Sequence, residues 1–179
     1  LDFETKIVAK MDAPAMLAAE LDHARWKGES IVMSGVTDPY QPIERRLRIT
    51  RACLQVMAER RQPVSVVTKN ALILRDLDLL ADLAKDNAGR AAISLTTLDP
   101  EVARKMEPRA SSPARRLEAI RELSRAGVPV AVLTAPIVPG LTDHEIPALL
   151  EAAREAGATS AGWILLRLPW QIKDVFLEW

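Results

Sequence analysis

Five short, nearly continuous apolar runs constrain this chain more than any other feature: Ser30-Ile31-Val32-Met33-Ser34, Val64 to Thr68, Ala91 to Thr97, Val128 to Ala135 and Ala161 to Leu168. None alternates polar with apolar residues, so each reads as a strand covered on both faces, as in a parallel sheet. Strands separated by helices of roughly 10 to 18 residues are what repeated right-handed crossovers require. The expected fold class is therefore α/β with a parallel sheet, forming a single domain over residues 1–179.

The intervening stretches carry helix signals. Asp12 is expected to cap a helix from about Pro14 to Lys27, with Leu17, Leu21 and Ala24 on one face and Gly28 ending it. A single helix is expected from Ile43 to about Arg60, its arginines Arg45, Arg46, Arg48, Arg51 and Arg60 mostly facing solvent. From Ala71 to about Lys85, the residues Ile73, Leu77, Leu80 and Ala84 form a buried stripe. Asp99-Pro100 reads as a cap with a first-turn proline, starting a short helix towards Met106. A loop from Glu107 to Pro113 re-caps at Ser112 and leads into a helix reaching Ala126. Thr142-Asp143-His144-Glu145 has the form of a capping box opening a helix to about Ala156.

Composition narrows the function. A formal net charge of zero gives no long-range pull on nucleic acid or anionic lipid. The one cysteine, Cys53, excludes an internal disulfide framework and any multi-cysteine metal site within the chain, and its apolar helical neighbours read as packing. His23 and His144 have no second ligand at metal spacing. No apolar run is long enough to cross a membrane and no secretory signal is found, so a cytoplasmic protein is expected. Neither a Gly-x-Gly-x-x-Gly turn nor a Walker loop is present. The chain opens on Leu1, from which a processed or truncated protein is expected.

The residues at the strand ends add a family. Ser34-Gly35-Val36-Thr37-Asp38-Pro39-Tyr40-Gln41-Pro42 with Glu44 resembles the second strand-end loop of a radical S-adenosylmethionine subfamily similar to spore photoproduct lyase, the "DNA repair photolyase-like" proteins. Thr68-Lys69-Asn70, Ser94 to Asp99, Glu107-Pro108-Arg109, Ala135 to Asp143 and Leu166-Arg167-Leu168-Pro169 agree in the same order. The resemblance implies a TIM-like partial barrel that binds S-adenosylmethionine and a [4Fe–4S] cluster. Such an enzyme reduces the sulfonium to give a 5′-deoxyadenosyl radical, drawing on a reductant such as flavodoxin or ferredoxin. The family's first strand and the Cys-x3-Cys-x2-Cys loop after it would precede Leu1, so both are expected to be missing here and the strand near Ile31 to Ser34 to border an open side. The cluster is therefore expected only in the full-length protein, and the isolated chain is expected to be inactive.

By the same resemblance, Ser34 and Gly35 meet the amino group of S-adenosylmethionine, while Lys69 and Ser94 meet its carboxylate. Asp38 either accepts from the ammonium or forms an Asx-turn before Pro39. Val138, with Ile137, provides an apolar shelf for adenine, against the plainer reading of a rigid turn. Tyr40, Arg109 and Arg167 are possible substrate contacts. Tyr40 stacks on a base or packs structurally, and Arg109 meets a phosphate or clamps Glu107. Arg167, interrupting an apolar strand, would need an anionic partner if buried. Trp163, Trp170 and Trp179 are expected to pack together near the C-terminus. The substrate is unassigned. Nucleic acid is possible but unsupported by charge, and the lyase proper uses a further cysteine that is absent after Cys53. The alternative is a non-catalytic α/β-barrel binding or scaffold domain that has lost the cluster.

Overall fold

The structure is a computed structural model describing residues 6–34, 37–168 and 172–178. Its centre is an all-parallel five-stranded sheet in the order β1-β2-β3-β4-β5: Ile31–Met33, Val64–Thr68, Gly89–Ser94, Val130–Ile137 and Ser160–Leu165. This is the expected α/β partial barrel, left open between β1 and β5. The strands differ from the expected bounds by a few residues at their ends. Val64, Val66, Ile93, Val130 and Val132 are all buried in one core.

The helices are α1 (Ala13–Leu21), α2 (Glu44–Leu47), α3 (Ile49–Glu59), α4 (Leu77–Lys85), α5 (Pro100–Met106), α6 (Pro113–Arg125), α7 (Ile146–Glu155) and α8 (Ile172–Glu178). Leu54 and Met57 of α3, Leu80 and Leu83 of α4, Ile120 and Leu123 of α6 and Leu149 of α7 close the core from outside the sheet. Gly89 lets α4 lie directly on β3. A Cβ there would stand 2.6 Å from the Leu80 carbonyl oxygen and 2.9 Å from the Ala84 nitrogen. Gly89→Ala should therefore cost about 1–3 kcal/mol through overpacking, lowering the melting temperature by roughly 2–4 °C per kcal/mol. An unchanged melting curve would show that α4 shifts freely.

Three helical expectations need correction. The single helix from Ile43 to Arg60 is broken at Arg48, which adopts φ 55°. The break lets buried Glu44 turn back and cap α3, its carboxylate accepting from the backbone N–H of Ile49 at 3.0 Å and of Thr50 at 3.1 Å. The stretch after Asn70 begins as a 3₁₀ turn, Ala71–Asp76, with the Asn70 side chain accepting from the Leu72 N–H. The first helix stops at Leu21 instead of near Lys27. Beyond it, Trp26 donates its indole N–H to buried Gln62 at 2.8 Å, and Gln62 also donates to the carbonyls of Glu29 and Pro63.

The sheet edges are bare. Val32 on β1 is 59% exposed, as expected for the strand bordering the open side, and on β5 Trp163 is 70% exposed. Trp163 thus does not pack as anticipated, because β5 is an edge strand with no further strand paired to it among the described residues. Trp170 and Trp179 lie outside the described residues. Among the described residues no helix is long and apolar enough to cross a membrane.

Candidate active site

In a parallel sheet the strand C-termini share one end, and the polar residues singled out by sequence gather there. Asp38 forms the Asx-turn: its Oδ1 accepts from the Tyr40 N–H at 2.8 Å and from the Thr68 hydroxyl at 2.6 Å. Its Oδ2 accepts from the Lys69 N–H at 2.7 Å, so one carboxylate ties the loop after β1 to the end of β2. Lys69 is thereby aimed across the sheet. Its ammonium donates to the Ala135 carbonyl on β4 at 3.0 Å and pairs with Glu107.

The Ala135 carbonyl collects three donors. Besides Lys69, the hydroxyls of Ser94 and Thr96 reach it at 3.0 Å and 3.2 Å. A carbonyl oxygen offers two lone pairs, and the Thr96 hydroxyl also lies 3.1 Å from the Glu107 carboxylate, to which it can donate instead. Ser34, Asp38, Lys69, Ser94 and Ala135 line one cleft of about 350 Å³, floored by Val67, Leu133 and Ile164. Ser34 and Thr37 enter it from the loop after β1.

Behind the cleft stands Glu107, paired with an arginine that the sequence pattern did not single out. Glu107 is gripped from the other side by Arg116, which donates to it at 2.6 Å. Arg116 is 2% exposed and also donates to the carbonyls of Ser111 at 2.7 Å and Ser94 at 3.0 Å. Burial pushes the Glu107 carboxyl up, but the charges and hydrogen bonds of Lys69 and Arg116 prevail and hold it below the usual glutamate value. The signal for Arg116 was its place on the apolar stripe of α6 with Ala119, Ile120 and Leu123, where a solvated arginine does not belong. Glu145, expected in a capping box, instead accepts from the Thr97 hydroxyl and the Leu98 N–H. Thr142 binds the Val138 N–H in place of capping.

The other candidates are dispersed. Tyr40 is fully buried with Arg75 5.8 Å from its ring centre and does not line this cleft. Burial, with the neighbouring Asp76 charge, raises its phenol well above the usual tyrosine range. Val138 is 6% exposed and does not line the cleft. Arg109 lines an adjoining cavity of about 270 Å³ together with Tyr40 and Glu107, and this cavity shares Asp38 and Lys69 with the cleft. Arg167 lies past the end of β5 and is exposed, so the partner expected of a buried arginine is not called for. Gly35 lies outside the described residues. Cys53 is buried on α3, where desolvation and then the Glu44 charge raise its thiol.

The profile of the Radical SAM superfamily matches residues 4–153, spanning all of the cleft except Ile164. The chain belongs to this superfamily. An uncharacterized protein of Mycobacterium tuberculosis is 34% identical over 180 residues, covering 99% of this chain and 53% of the relative. An uncharacterized protein of Methanocaldococcus jannaschii is 30% identical over 139 residues, covering 78% of this chain and 50% of the relative. The chain thus spans about half the length of these curated relatives. Among solved structures, Streptococcus suis SuiB bound to S-adenosylmethionine superposes with a TM-score of 0.55 at 18% identity, covering 77% of this chain and 29% of that one. SuiB bound to its precursor peptide SuiA gives 0.56 over the same share of this chain and 28% of that one. At that identity the likeness is one of fold.

Proposed function

We propose that these residues form the S-adenosylmethionine-binding part of a radical S-adenosylmethionine enzyme of the spore photoproduct lyase-like subfamily. The observation that carries this reading is the cleft itself, where an ammonium at Lys69 and a carboxylate at Asp38 line one wall. A methionyl group is a zwitterion and needs both. Its carboxylate would take the donors of Lys69 and Ser94, and its ammonium would face Asp38 and Ser34. Membership of the superfamily and the fold of S-adenosylmethionine-bound SuiB support the reading. The intact set of cleft residues favours it over a scaffold domain that has lost its chemistry.

The described residues do not fit an iron–sulfur cluster. Among them no group of three His, Cys, Asp or Glu side chains is placed to hold a metal, and Cys53 is buried on a helix. A [4Fe–4S] cluster bound by three thiolates therefore belongs, on this reading, to residues beyond these 179. A peptide substrate is favoured by analogy with SuiB, whereas a net charge of zero offers nucleic acid no support.

Two measurements test the proposal. Anaerobic reconstitution of the isolated chain with iron and sulfide should leave no stoichiometric iron after desalting, while the whole protein should retain it. Calorimetric titration of the reconstituted whole protein should show saturable uptake of S-adenosylmethionine. A stable cluster in the isolated chain, or no uptake by the reconstituted whole protein, would sink this reading.

A further inference from the structure

Lys69, Glu107 and Arg116 form a linear cluster from the cleft inward, and exposure falls along it. The Lys69 side chain is 33% exposed, Glu107 11% and Arg116 2%. A lysine paired one-to-one with a buried carboxylate presents little field to a second anion, because its charge is already spent on its partner. Here that does not happen, since the same carboxylate is shared with a second, deeper cation. Within the cluster two positive charges meet one negative charge, and its exposed end, Lys69, lines the cleft beside the Asp38 carboxylate.

Resting on the cofactor reading above, we propose that Arg116 is a positioning residue for the bound carboxylate, acting through Glu107 without reaching the cleft. By neutralising Glu107 from behind, it leaves the charge of Lys69 to the incoming group. The Lys69 ammonium donates to the Ala135 carbonyl, which the hydroxyls of Ser94 and Thr96 also reach. The Thr96 hydroxyl also lies 3.1 Å from Glu107, so its single proton serves either Glu107 or the shared carbonyl. The guanidinium is further fixed by the Ser94 carbonyl, on the residue whose hydroxyl donates to the Ala135 carbonyl at the cleft. A change at Arg116 therefore reaches both donors meant for the carboxylate.

The proposal separates charge from architecture. Removing the Arg116 charge turns the cluster neutral, and removing the Glu107 charge as well restores a single positive charge at Lys69. The whole reconstituted protein would be titrated with S-adenosylmethionine and with its decarboxylated analogue, as wild type, R116M, E107Q and the double variant. Thermal melts would control for folding. R116M should bind S-adenosylmethionine roughly ten- to a hundredfold more weakly, with a change below about threefold for the analogue. E107Q should bind at least as tightly as wild type, and the double variant should recover most of the loss. A purely structural role would weaken both ligands together and give no recovery. A folded R116M with wild-type affinity, an equal loss for both ligands, or a double variant no tighter than R116M would each overturn the assignment. Should R116M fail to fold, weaker binding by E107Q than by wild type would overturn it. Failure of wild type to bind S-adenosylmethionine would sink the cofactor reading and this one together. Binding by wild type with an indifferent R116M would sink this one alone.

Discussion

Replacing Lys69 by alanine should weaken S-adenosylmethionine binding roughly ten- to a hundredfold and leave the fold intact. A charge-assisted hydrogen bond is worth on the order of 1.5–3 kcal/mol, and each 1.4 kcal/mol is about a factor of ten. The fold should survive because Lys69 ties the neighbouring loops together through its backbone and is not part of the apolar core. Its N–H donates to Asp38, and its carbonyl accepts from the Ser111 N–H. Glu107 would keep Arg116 as a counter-charge. Titration of wild type against K69A in the reconstituted whole protein, with melts alongside, measures this. Unchanged affinity in a folded variant would remove Lys69 from the site.

The largest loss of stability is expected at Asp76, which is fully buried beneath the loop carrying Tyr40. Its carboxylate accepts from Arg75 at 2.8 Å and 2.7 Å and from Arg51 at 3.1 Å. Arg75 continues to the Glu44 carboxylate at 2.9 Å, the group that caps α3. Breaking a buried pair from one side costs about 3–5 kcal/mol. Arg51 and Arg75 are 24% and 19% exposed and keep Asp78 and Glu44 as partners, so Asp76→Ala should fall near the lower end. Near 3 kcal/mol, the melting temperature should drop by roughly 6–12 °C. A denaturant series showing a loss below about 1 kcal/mol would mean that Glu44 and Asp78 alone sustain the network.

The contrast between these two sites shows what the sequence makes legible. Lys69 stands directly after Val64–Thr68, an apolar run with no competing reading, so its place at a strand end follows from the pattern alone. Asp38 before Pro39 is a local signal, and it does form the Asx-turn. Glu107 meets Lys69 across 38 positions and Arg116 across nine, and no periodicity predicts which loop residue will face which strand end. Glu145 has the spacing of a capping box, yet Thr97 and Leu98, nearly fifty positions away, present stronger donors than its own helix does. The break at Arg48 was hidden for a related reason. Arginine is a good helix former, and only the buried carboxylate of Glu44 makes a left-handed turn worthwhile there. The exposure of Tyr40 and Arg167 is set by features their sequence neighbours do not carry, Arg75 in one case and the end of β5 in the other.

The order of strands in the sheet is also their order along the chain. A ribosome therefore delivers the sheet in the sequence in which it can be assembled. β2 emerges to find β1 as its neighbour, and β3 adds to β2, each step closing a loop of similar length and similar entropic cost. No strand has to be inserted between two that have already paired, so no earlier pairing must be reopened. Growth proceeds from one moving edge, with the crossover helices laid down behind it. A parallel sheet, ordinarily slow to form because its contacts are distant in sequence, is here reduced to successive short-range additions. Vectorial synthesis can guide these one at a time.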